Sequence, residues 1–482
     1  METQKLLHEI SSPAHAQGAT PPVEPMAAPD SAAAVLPPPR RRDPTAPRCG
    51  AHIGVMPFRS FGEAPHLALG LADEITNGLS RFRWMFIVSA NSLGRFAPEN
   101  RDEAAIRREL GLDLLLDGSV QQAGSRIRIS IRMLDLRASS RIVWARRFDR
   151  ETDDLLMLQD EIAAEVVAQI DPAVLLIEAD RATSRGQADA TAYDRVLQSV
   201  PLIGRLELEP FLQAGRNLAQ AIAQEPDYAA AYAWYAYWHI FLIAQDWTEN
   251  PKAITQKAMT QKAGELAERS IVLDPLDARG LTISGHVRAF LHRRPREAMV
   301  LHDRALSLNP NLAMAWALSA AACAYAGDLT EAERRNNRYK SLSPMDPHAF
   351  FFDSFFVLIH LMKRDYATAV ELGRNVSLLN PLFSAAYKPY LAALGHLHRD
   401  QEAAATRRRL LALEPDFTIE RFLEDSAIER ECDRMHYAEG LRLAGVRERD
   451  PPTANAPIVL RPSLEHHPAK WDHLPDPDKD AR

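Results

Sequence analysis

Proline returns on a beat through the second half of this 482-residue chain, each time after an acidic or polar residue: Glu225-Pro226, Asp274-Pro275, Asn309-Pro310, Ser343-Pro344, Asn380-Pro381 and Glu414-Pro415. From Pro275 onward these prolines stand about 34 residues apart. A period of that length is a two-helix unit, which cannot bury its apolar face alone and must stack on its neighbours. Small residues precede several of the prolines by twelve and five positions, as Ala214 and Ala221 do before Pro226, and Ala298 and Ala305 before Pro310. The interval from Pro226 to Pro275 is some 15 residues too long. The polar stretch Trp247–Thr260 is expected to take up the excess as a surface insertion between two helices. Roughly half of the chain is therefore expected to be an interaction surface.

Composition fits that frame. With 46% hydrophobic and 25% charged residues the chain lies in the globular range and is long enough for two or three folding units. A net charge of −7 argues against bulk affinity for nucleic acid or anionic membranes. Cys49, Cys323 and Cys432 are scattered without metal-binding spacing, which suits a reducing compartment. Prolines break Met1–Arg48 before any apolar core of a signal peptide builds up, so a cytoplasmic location is expected. The longest apolar run, Tyr228–Ala244, falls short of the roughly 20 residues that span a bilayer. It follows Glu225-Pro226-Asp227, where a buried repeat helix should begin.

Residues 1–48 are rich in Pro and Ala, and are expected to be a disordered arm because they offer too little apolar surface to offset ordering entropy. From Ala51 the pattern predicts strand, helix (Leu67–Leu79), strand (Trp84–Val88), helix (Glu103–Leu110), three strands (Asp113–Gln121, Arg126–Leu134, Ile142–Phe148) and a helix from Asp154 to Ile170. The expected organisation is an α/β domain with a small mixed sheet at 50–171, a linker helix at 172–195, an all-α repeat solenoid at 196–416, capping helices at 417–446 and a disordered tail at 447–482. In Ser125–Leu134, Ile127, Ile129, Ile131 and Met133 alternate with polar residues. The outer face carries Arg126, Arg128 and Arg132. With Arg141 and Arg147 on the next strand, these could recognise an anion bidentately, although charged outer faces are ordinary in half-buried sheets.

The repeat half matches the tetratricopeptide (TPR) pattern, with Trp316, Gly327, Ala332 and Pro344 at consensus-like positions in one unit and Asp365, Ala369 and Pro381 in the next. The preceding part carries Val55-Met56-Pro57-Phe58, Gly70-Leu71-Ala72-Asp73-Glu74-Ile75-Thr76, Leu116-Asp117-Gly118-Ser119-Val120, Trp144-Ala145-Arg146-Arg147-Phe148-Asp149-Arg150 and Leu158-Gln159-Asp160-Glu161-Ile162. In order and spacing these resemble the TolB-like amino-terminal domain that precedes TPR repeats in many proteobacterial regulators, and the resemblance covers roughly residues 50–447. In that family the module usually follows a class III adenylate or guanylate cyclase domain, or a winged-helix domain of the CadC or HilA type. Neither is expected here, since only the arm lies upstream of Ala51. The resemblance thus implies a non-enzymatic cytoplasmic regulatory or signalling adaptor. Its alternatives are an accessory relative of an adenylate cyclase and a transcriptional regulator acting through a DNA-binding partner.

No phosphate loop, dinucleotide fingerprint, HExxH or GxSxG stands in the sequence, so no catalytic residue, cofactor or metal is expected. His396-Leu397-His398 and His466-His467 read as incidental surface histidines, and Asp73-Glu74 and Asp160-Glu161 as solvated helix faces. The remaining candidates are the first-helix positions of the repeats: Ile283, Val287, Phe290, Met314, Ala317, Ala321, Phe351, Phe355 and Leu358. They form either an apolar groove for an amphipathic helix, from a partner or from this chain's own C-terminal segment, or packing between repeats.

Overall fold

The computed structural model describes residues 50–62, 65–96, 102–151, 154–186, 189–247 and 252–449. The arm expected at 1–48 and positions 450–482 of the expected tail lie outside the described residues, while at 447–449 the expectation of disorder fails, because the Arg447 and Glu448 carbonyls accept from the Ile419 and Glu420 amides.

The first unit is a mixed sheet with strands β1 (Ala51–Val55), β2 (Arg59–Phe61), β3 (Met85–Val88), β4 (Leu114–Ala123), β5 (Arg126–Asp135) and β6 (Arg141–Glu151). The strand order is β3-β1-β4-β5-β6. β1 pairs in parallel with β3 and β4, while β4, β5 and β6 form an antiparallel meander. β2 was not foreseen. It is three residues long, follows Pro57, and pairs in parallel with the far end of β4. Helix α1 (Pro65–Ser80) enters through β2 and crosses the sheet, followed by α2 (Ala90–Leu93) and α3 (Glu103–Leu110). The alternation in β5 holds in three dimensions, with Ile127, Ile129, Ile131 and Met133 buried beneath α1 and helix α4 (Leu155–Ser184). Asp154 caps α4 by accepting a hydrogen bond from the Met157 amide.

α4 does not stop at residue 171. It runs through Pro172 for 30 residues, so the expected boundary between domain and linker falls inside one helix. Ile162, Val166 and Ile170 serve the sheet, whereas Leu175, Ala179 and Ala182 belong to the core of the helical array. Most helices that follow come in pairs: α5 (Ala192–Arg205) with α6 (Leu208–Gln224), α7 (Ala229–Ala244) with α8 (Lys252–Leu273), and α9 (Ala278–His286), extended by a π-turn at Val287–Leu291, with α10 (Pro295–Leu308). Next come α11 (Ala313–Ala326) with α12 (Leu329–Leu342), then α13 (Ala349–Phe352) and α14 (Ser354–Met362) with α15 (Tyr366–Leu379), and α16 (Ser384–His396) with α17 (Asp400–Leu413). α18 (Ile419–Asp425) and α19 (Glu431–Leu443) close the array.

Each proline of the beat stands in the turn between pairs. The small residues ahead of it, among them Ala214, Ala221, Ala298, Ala305, Ala332 and Ala369, are fully buried. A further device repeats with the turns. An aromatic residue six positions after the proline donates to its carbonyl: Tyr232 to Pro226 at 3.0 Å, Trp316 to Pro310 at 2.8 Å and Tyr387 to Pro381 at 3.1 Å. These bonds satisfy carbonyls that the helix ladder cannot reach.

The polar stretch at 247–260 departs from expectation. From Lys252 it is the start of α8, Met259 is buried, and Trp247 packs edge-on against Phe211 with ring centroids 4.8 Å apart. Met259 alone would place this face against the core; the surrounding Lys, Thr and Gln residues masked it. As expected, α7 is a buried helix, with Trp238 and Phe241 in the core, and no helix among the described residues is long and apolar enough to cross a membrane.

The sheet unit and the array share one core, because Ala278, Leu281, Ala305, Leu312 and Ala315 pack with α1, α4 and the sheet residues. An ion pair sits at the joint. The Arg279 guanidinium lies 2.6 Å from Asp171, both side chains only 11% exposed. Trp84 donates its indole N–H to the same carboxylate at 3.1 Å.

Candidate functional site

The first helices of the pairs face inward and wall a cavity of about 550 Å³. α7 supplies Ile240 and Phe241, the π-turn supplies Phe290, α14 supplies Phe355 and Leu358, and α16 supplies Lys388. The fourth side is the chain's own C-terminal segment, with Glu414, Phe417, Phe422, Ile428 and Tyr437. π-turns recur at functional sites because the extra residue re-aims the helix. Here the turn carries Phe290 into the wall, its ring stacked parallel to His286 at 5.7 Å.

Of the nine first-helix positions, Phe290, Phe351, Phe355 and Leu358 line this cavity. Ile283, Val287, Ala317 and Ala321 are at most 2% exposed; none of these four borders the cavity, and they pack inside the array. Met314 is half-buried and packs where the two cores meet, away from the cavity. Phe351 combines both roles, being 6% exposed and within 6.2 Å, centroid to centroid, of Tyr237, Phe241, His286, Phe355 and Phe383. The expected apolar groove is thus covered on one side by the chain's own C-terminal segment, one of the two occupants expected for it. An α-helix is about 10–12 Å across, so this volume admits little more than one turn of it while the C-terminal segment is in place.

That segment is tied to the opposite rim by exposed pairs. Arg293 lies 3.2 Å from Asp425 and Arg296 lies 2.9 Å from Glu429, while the Glu429 amide donates to the Tyr325 carbonyl at 2.8 Å. Where α19 meets α16, Gly395 and Gly440 let the backbones touch, and no side chain fits between them. His396 is not an incidental surface residue. It stacks between Tyr366 (4.6 Å) and His436 (4.4 Å), at the contact of the last repeats with α19. His466 and His467 lie outside the described residues.

Sequence reasoning missed His286, Lys388 and Glu414. His286 stands three residues after Ile283 and four before Phe290, so the helical spacing already placed it on the same face. Burial pushes its imidazole down to about 3, and does the same to His302 on the neighbouring helix; His239 is pushed down to about 4. All three are neutral when folded, whereas an unfolded histidine binds a proton near pH 6.5. A folded value below the unfolded one gives stability that is full above about pH 6.5 and is lost as pH falls toward the folded value. Denaturant titration should therefore show the unfolding free energy falling between pH 7.5 and pH 5, by roughly 1–2 kcal/mol for each histidine. His302→Gln should shrink that slope.

The arginine face is less open than its sequence promised. Arg128 and Arg147 both reach Asp149, at 2.6 and 3.4 Å, and Arg132 reaches Asp117 at 2.8 Å. Arg126 and Arg141 stand opposite Glu151 and Asp135 in the strand register. The hydrogen bond from Arg128 holds the Asp149 carboxyl below its ordinary range. The outer sheet face is a ladder of opposite charges.

Residues 48–165 match the family described as HilA/YgeH-like transcriptional regulator, second domain. The matched unit is the sheet domain. A curated relative, "Putative adenylate cyclase 3" of Rhizobium meliloti (strain 1021), is 30% identical over 232 residues, covering 47% of this chain and 38% of the relative. The chain therefore spans well under half the length of that relative. A crystal structure of TolB from Acinetobacter baumannii aligns over 26% of this chain and 28% of its own, at 15% identity and a TM-score of 0.21, too slight a likeness to carry an argument.

Proposed function

We propose that this chain is a non-enzymatic regulatory adaptor that binds protein partners through a TPR-type array and its sheet domain. The observation that carries the reading is the match of the sheet domain to a domain of transcriptional regulators, joined through a shared core to stacked helix pairs of the TPR period. In this reading a partner's amphipathic helix takes the place of the C-terminal segment along the inner wall. The rim ties that hold the segment are exposed ion pairs, worth about 0–1 kcal/mol each, so they add little to the cost of exchange.

Likeness to a protein named as an adenylate cyclase favours a second reading, in which the chain acts on a cyclase supplied in trans. Purified protein incubated with ATP or GTP and either Mg²⁺ or Mn²⁺ should form no cyclic nucleotide, since the sequence carries no recognisable pair of metal-binding carboxylates for two-metal chemistry. Formation that survives stringent purification overturns the adaptor reading. Co-expression with a class III cyclase catalytic domain separates the two: a changed rate of cyclic AMP formation favours the second reading, and an unchanged rate favours the first.

A further inference from the structure

The inner cavity is built like a small-molecule site. Its volume of about 550 Å³ lies within the range of roughly 300–1,000 Å³ typical of ligand pockets. Aromatic side chains line the wall from the repeats (Phe290, Phe351, Phe355, Phe383) and from the C-terminal segment (Phe417, Phe422). Rings set edge-on and tilted to one another, as Phe351 is to Phe355 (64°) and Phe383 (86°), offer a flat guest both faces and edges.

Charge in the wall is balanced. Lys257, Arg293, Lys388 and Arg421 line it, and so do Asp246, Glu414, Glu424 and Asp425. Three opposite pairs are already formed: Arg293 with Asp425, Lys388 with Glu414 at 2.9 Å, and Arg421 with Asp246 at 3.9 Å. A charged guest would find no counter-charge in excess. The deepest of these pairs is Lys388–Glu414. Glu414 is 4% exposed, and its second carboxylate oxygen has no hydrogen-bond partner. An ammonium has three N–H donors, and Lys388 points one at Glu414 while its nitrogen lies 5.0 Å from the Phe417 ring centre. That second Glu414 oxygen is sealed from the cavity, so a hydroxyl on the guest meets the pair through Lys388, its more exposed member, and accepts from the ammonium.

We infer that this cavity binds a neutral, hydroxylated aromatic small molecule, with its rings among the phenylalanines and its hydroxyl at Lys388–Glu414. The inference goes beyond the adaptor reading and does not depend on it. Because one side of the wall is the C-terminal segment, such a guest also bridges that segment to the repeats and holds the array closed.

The test uses the full chain and 2-naphthol, which is neutral at pH 7, in equilibrium dialysis. One molecule should bind saturably per chain. Ala385→Phe fills the cavity from α16 and should weaken binding at least tenfold. The paired change Lys388→Met with Glu414→Gln leaves no buried charge alone, and should weaken 2-naphthol about tenfold while changing naphthalene binding less than twofold. Hydrogen exchange on the unaltered chain gives an answer independent of how the variants fold. Slowed exchange at 351–358 and 414–428 on adding 2-naphthol supports the site. Absence of saturable binding, protection confined to other segments, or full binding by a folded Ala385→Phe variant overturns it.

Discussion

Asp171→Ala should lower the unfolding free energy by about 3–5 kcal/mol, the cost of breaking a buried ion pair by removing one partner. The carboxylate takes two contacts from one Arg279 nitrogen, at 2.7 and 2.6 Å, and one from the Trp84 indole. Without it the guanidinium is left between the Trp84 and Trp234 rings, 5.8 and 5.6 Å from their centres, with no counter-charge of comparable geometry. Because Asp171 sits on α4 and Arg279 on α9, the loss falls on the joint between the sheet unit and the array. Equilibrium denaturation should show both a lower midpoint and a separation of the two units into distinct transitions. The double variant Asp171→Leu/Arg279→Met should recover most of the loss, since a buried pair replaced by apolar groups is often neutral or stabilising. If the single and double variants lose equally, the joint is held by apolar packing and the pair adds nothing to it.

Much of this architecture stood in the sequence because it rests on local periodicity. The spacing of Ala298, Ala305 and Pro310 is fixed by contacts within and between adjacent helices, and the first helix of each pair from α7 onward follows a proline turn. The alternation in Arg126–Asp135 fixed which face is core. What the sequence could not show is how distant segments close on one another. The cavity exists because Phe417–Tyr437 folds back over helices that precede it by a hundred residues or more, and nothing in the 34-residue beat encodes that return. Met259 and Trp247 were likewise misplaced, since their partners, Phe211 among them, belong to other helices. β2 was missed for a related reason. Three residues carry no period of their own, and the strand exists only because the far end of β4 is there to pair with it.

Phe351→Lys should unfold the middle of the array rather than merely abolish a binding surface. Apolar first-helix residues in a repeat array can face a partner or face each other, and the two cases differ in what a charge meets. Besides its chain neighbour Phe352, Phe351 meets five aromatic rings on α7, α9, α14 and the turn before α16. Truncation to alanine alone removes contacts worth about 3–5 kcal/mol for a buried phenylalanine. A lysine adds the desolvation of an ammonium set among aromatic rings. Circular dichroism should show lost helicity and a melting temperature lowered well beyond that of Phe351→Leu, which keeps most of the volume. Retained helicity with an unchanged melting temperature would mean that the lysine escapes into the cavity, and that this part of the inner wall is free to meet a partner. In that event the closure rests on the C-terminal segment's own buried residues, Ile419, Ile428 and Leu441 among them, and Ile428→Asp should open it where cutting the exposed rim pairs does not.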